Sequence, residues 1–188
     1  MDWLNSHSIF LIGHIIGVAF GAGAAFVGDI IFINSVKDKH LSQSENRLLD
    51  LIGTVVWLGL GILVLSGLGL VWQRPDIFLN SGKFWAKMTI VLIIALNGLF
   101  FHFAHRPVFK KSVGSEFSNE HTIIKRRKWL MVSGAISVTS WMYVIILGTL
   151  KATPFSYFQF IGFYLALLSI GIPLAISISK YIISAKTK

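Results

Sequence analysis

From residue 8 to residue 180 the chain alternates long apolar runs with short polar connectors. Five runs stand out, about 8–33, 50–71, 84–103, 129–149 and 157–180, each close to the ~20 residues a helix needs to cross hydrocarbon about 30 Å thick. Hydrocarbon supplies no hydrogen-bonding partners, so such spans should be helical. Barrel strands would be shorter and would alternate apolar with polar residues, which these runs do not do. The pattern predicts an all-α integral membrane bundle of five transmembrane helices, occupying 1–188 as a single domain.

Composition strengthens that reading. Of 188 residues, 54% are hydrophobic and 13% charged, against roughly 25% charged in an average soluble domain. The absence of cysteine excludes disulfides and thiolate metal ligands. The net charge of +9 raises nucleic acid as a partner, but the basic residues sit in short connectors, where topology explains them. Lys37, Lys39, Arg47, Arg106, Lys110, Lys111, Lys125, Arg126, Arg127, Lys128, Lys180, Lys186 and Lys188 fall on one side of five crossings. The other side has Arg74, Lys83, Lys87 and Lys151. By the positive-inside bias the first side is cytoplasmic, which sets the N-terminus outside and the C-terminus inside a bacterial cytoplasmic (inner) membrane. The opening MDWLNSHS has no basic n-region, so the first run reads as a retained helix rather than a signal peptide. Arg106-Pro107 is expected to end the third helix. VWQRPDIFLNSGKFW reads as a turn between the interfacial tryptophans Trp72 and Trp85.

Chemistry concentrates in the first and third spans. At 100° per residue, Gly17, Gly21, Ala25 and Gly28 share a face with His14. Gly13, Gly17 and Gly21 also make overlapping GxxxG patterns that admit a close helix, from this chain or from a second copy. Two readings stay open for His14: a hydrogen bond to a neighbouring helix, or an axial ligand of haem iron with the glycines as the wall beside a b-type haem. Asp29 lies near the same face and is expensive in hydrocarbon unless partnered. In the third span Lys87, His102 and His105 share a side. Lys87 sits with His14 toward the external end, while His102 and His105 sit with Asp29 toward the internal end. His14 and His102 differ in depth by roughly 18 Å at 1.5 Å per residue, too far to bind one iron from both faces. A haem by His14 would take its second ligand from another group, such as His7 folding back, with Lys87 pairing a propionate. Asp29, His102 and His105 form a candidate internal polar, proton or metal site. Ser133, Ser137 and Ser140, at helical spacing in the fourth span, are expected to satisfy contacts between helices.

HIIGV at 14–18 and W-A-K at 85–87 resemble the haem-containing protoporphyrinogen oxidases of bacterial membranes, and the chain is also similar to copper-resistance D-type and uncharacterised polytopic membrane proteins. The resemblance implies His14 as haem ligand, Lys87 as part of the site, an oxidoreductase activity and a membrane redox partner. Trp85 stands where the oxidases have a histidine two residues before the lysine, and Ile30 stands where they have an arginine. The competing expectation is a cofactor-free small transporter, or a subunit whose glycine faces pack other helices.

Overall fold

The computed structural model describes residues 5–38, 42–107, 121–151 and 153–184, leaving aside the side chains at 36–38, 105, 121–127 and 179–184. All the elements described are helical. They are α1 (Ser6–Asp38), α2 (Gln43–Gln73), α3 (Pro75–Leu79), α4 (Gly82–Phe100), a π turn (Phe101–His105), α5 (His121–Thr149) and α6 (Tyr157–Ser184). Five helices are long and apolar enough to cross a membrane. Their outer faces carry bare hydrocarbon, with Leu65 70% and Phe158 81% exposed. This is a multi-pass membrane protein.

α1 and α2 form an antiparallel hairpin whose register is written in sevens. His7 meets Gln73, His14 meets Ser66, Gly21 meets Gly59, Gly28 meets Ile52 and Ser35 meets Glu45. Each step rises seven residues on α1 and falls seven on α2, the repeat of a left-handed coiled coil. The seam is polar at both ends and made of glycine in the middle. A Cβ on Gly17 would lie 2.8 Å from Leu63 Cα and 2.9 Å from Gly59 O. One on Gly59 would lie 2.7 Å from Gly21 Cα. The helices therefore touch backbone to backbone.

The remaining spans, α4, α5 and α6, pack on one another, and α1 joins them by contacting α5. Trp141 of α5, 1% exposed, lays its ring against Gly21, where a Cβ would sit 2.5 Å from Cη2. Buried hydroxyls lock this group together. Ser140 Oγ and Tyr164 OH lie 2.8 Å apart, and Tyr143 OH donates to Phe160 O at 2.8 Å. Asn97 and Ser133 share two bonds, Asn97 Nδ2 to Ser133 O and Ser133 Oγ to Asn97 Oδ1.

Three boundaries differ from expectation. α2 begins at Gln43 because Ser42 and Glu45 form a capping box, which satisfies free amides before the apolar run starts. The 74–81 segment is a short helix, α3, with Pro75 at its first position and Trp85 Nε1 donating to Leu79 O at 2.9 Å. Arg106-Pro107 is still helical where the described part of the third span stops, at residue 107. Arg106 keeps helical angles (φ −56°, ψ −45°) and donates its amide to Phe101 O, the longer reach of a π turn. The preference against helix before proline yields here to an ion pair between the Arg106 guanidinium and Asp50 on α2. Pro173 likewise lies within a continuous α6.

Candidate functional site

At the end of the hairpin away from the 39–41 connector, His14 Nδ1 lies 3.1 Å from Leu63 O. A carbonyl can only accept, so Nδ1 carries the proton and donates. Ser66 Oγ lies 3.4 Å from the same nitrogen and donates to Ile62 O at 2.6 Å. The histidine is thus a hydrogen-bonding rung of the α1–α2 seam. His14 and Lys87, expected as neighbours, line one cavity of about 80 Å³ with Phe78, Phe84 and Val91. The Nδ1 bond leaves Nε2 with a lone pair, as in metal-binding histidines, but the rest of the arrangement does not fit a haem. The cavity is well below the roughly 300–1,000 Å³ of small-molecule sites. Gly17 and Gly21, the expected porphyrin wall, are covered by α2 and Trp141. His7, the proposed second ligand, is bonded to Gln73 Oε1 at 3.1 Å instead. The same coverage closes this glycine face to a second copy of the chain.

The other end of the bundle holds a larger space. A cavity of about 240 Å³ opens where the α1–α2 hairpin meets α4 and α5. Its walls are largely apolar and aromatic, including Trp57, Ile94, Phe101 and Trp141, and its polar lining includes Asp29, Asn97, His102, Arg106, Ser133 and Ser137. Asp29 and His102 both line this cavity, His102 on its exposed rim. The side chain of His105 lies outside the described residues, as do His40 and the 108–120 connector. Among the described residues no three His, Asp or Glu gather into a metal-binding group.

Two positions in this cavity went unread in the sequence. Arg106, which the sequence places in a connector, is 7% exposed, and nothing in the sequence marks Asp50 as its partner. Burial pulls the pKa of the Arg106 guanidinium down, and the half-exposed Asp50 carboxylate supplies its counter-charge. The i, i+5 step of the π turn swings Arg106 inward, which no α-helical projection of the third span would show. Asp29 has no such partner. Its Oδ2 is buried without a hydrogen bond among the described residues, and its other oxygen faces the open side of Gly134, where an added Cβ would stand 3.7 Å away. Ser137, one α5 turn from Ser133, interacts with the carboxyl.

No protein family, curated protein or solved structure matches the chain.

Proposed function

We propose that this chain is a small carrier of a bacterial cytoplasmic membrane, N-terminus outside and C-terminus inside, whose working group is Asp29. The observation that supports the reading is the unpartnered Oδ2 of Asp29 on the wall of the 240 Å³ cavity. An ionised carboxylate without a partner is costly in hydrocarbon. The two things that remove that cost are a proton and a cation, so a carboxyl kept there serves as an exchange point between them. His102 is exposed on the rim of the cavity. The Arg106–Asp50 pair and the Asn97–Ser133 bonds tie its walls together.

The test is flux in proteoliposomes loaded with a pH-sensitive dye. Asp29→Asn should reduce proton movement at least tenfold, while Lys87→Met, at the opposite end, leaves it unchanged. Equal flux in wild type and Asp29→Asn would end the proposal. The redox alternative has its own readout, a reduced-minus-oxidised absorption spectrum of protein from haem-replete cells. We expect no haem bands, and bands that vanish in His14→Ala would restore that alternative.

A further inference from the structure

We infer that the Asp29 cavity takes a small organic monocation with an apolar body, such as a primary ammonium on an aromatic or branched hydrocarbon frame. The inference rests on the reading of Asp29 as the working group and adds the class of solute.

Charge decides the sign. Counting histidine as neutral, the charged groups on the cavity wall among the described residues are Asp29, Asp50 and Arg106. Asp50 and Arg106 neutralise each other, which leaves Asp29 as the uncompensated charge of those three. Arg106 Nη1 is also buried with no hydrogen-bond partner among the described residues. An anion drawn to it would enter a cavity that already holds an unpaired carboxylate.

The wall decides between an inorganic and an organic cation. Hard cations replace their water with several oxygens, six to eight for Ca²⁺. Here the other side-chain oxygens on the wall are already engaged: Ser133 Oγ donates to Asn97 Oδ1, Thr54 Oγ1 donates to Asp50 O, Ser137 bonds Asp29 and the Asp50 carboxylate pairs with Arg106. Aromatic faces are plentiful instead, and Trp57, Phe101 and Trp141 suit both an apolar body and a cation held over a ring. Volume sets the size. About 240 Å³ falls short of the roughly 300–1,000 Å³ that drug-sized ligands occupy, which limits the solute to about one ring and an amine.

The probes are benzylammonium, its neutral relative benzyl alcohol, the anion benzoate and Na⁺, titrated into the full-length protein in nanodiscs with calorimetry as the readout. Benzylammonium should bind saturably and at least tenfold more tightly than benzyl alcohol, with no displacement by benzoate or Na⁺. Asp29→Asn, matched in size, should weaken it tenfold or more. Gly134→Leu fills the space beside Asp29 without adding or removing a charge and should do the same, so it decides the matter if Asp29→Asn fails to fold by circular dichroism. Benzyl alcohol binding equally well, displacement by benzoate or Na⁺, or unchanged affinity in a folded variant would overturn the inference. Failure of the two ideas separates cleanly. Benzylammonium binding that needs Asp29, without Asp29-dependent flux, sinks the carrier and keeps the ligand class. Asp29-dependent flux with no benzylammonium binding does the reverse.

Discussion

Replacing Gly59 by alanine tests the backbone contact at the centre of the α1–α2 seam. The new Cβ would lie 2.7 Å from Gly21 Cα. Reaching an ordinary contact of 3.4 Å means parting the helices by at least about 0.7 Å at Gly21 Cα, and by more at the still closer Gly21 N, because backbone cannot rotate away as a side chain would. Overpacking of this kind costs about 1–3 kcal/mol. The alanine also gains helix propensity, roughly 1 kcal/mol over glycine. Gly61, two residues on, supplies the control, since a Cβ there meets nothing within 4 Å. Both variants share the propensity gain, so their difference isolates packing. Gly61→Ala should stabilise by about 0.5–1 kcal/mol, and Gly59→Ala should fall below it by ~2 kcal/mol. The measurement is reversible unfolding in mixed micelles followed by circular dichroism. A gap under ~0.5 kcal/mol between the two variants, within the scatter of ordinary surface substitutions, would refute the close approach.

Two further outcomes follow from the same geometry. In this cysteine-free chain, Gly13→Cys with Ser66→Cys should form a disulfide on mild oxidation, since a Cβ on Gly13 lies 3.4 Å from Ser66 Cβ, near the ~3.5–4.5 Å that a disulfide needs; a gel showing no α1–α2 link would put the register in error. Asp50→Ala should destabilise more than Arg106→Met, because the first strands a buried guanidinium while the second leaves a carboxylate that water already reaches. We expect about 1–3 kcal/mol for the first, below the ~3–5 of a fully buried pair, and the reverse order in a denaturant titration would contradict the assignment.

The five spans were legible because apolar length is a direct signature of hydrocarbon, and expected and observed ends agree within a few residues except at the start of α5, which begins at His121, and at the start of α2. There the helix continues through polar residues, and the sign of it, Ser42-x-x-Glu45, was present in the sequence as a capping box. The seam was half legible. Projection from His14 found the glycines, but a single helix cannot say what covers them. Only the matching sevens on α2, Gln73, Ser66, Gly59, Ile52 and Glu45, turn a groove into a packed interface. Arg106 and Asp50 could not be paired from sequence, because their meeting depends on a π turn and on how the hairpin leans against α4. That Asp29 and His102 line one cavity follows from their similar depth in the first and third spans.

The π turn makes the third span sensitive to length rather than to composition. Loss of any one residue from 101–105 would let the backbone close as an ordinary α-helix and swing everything after it by about 100°. The arginine at the end would then face the lipid, its aspartate would stand alone, and the cavity mouth would lose one wall. A single-codon deletion there should therefore disable the protein more thoroughly than most side-chain substitutions in the same stretch.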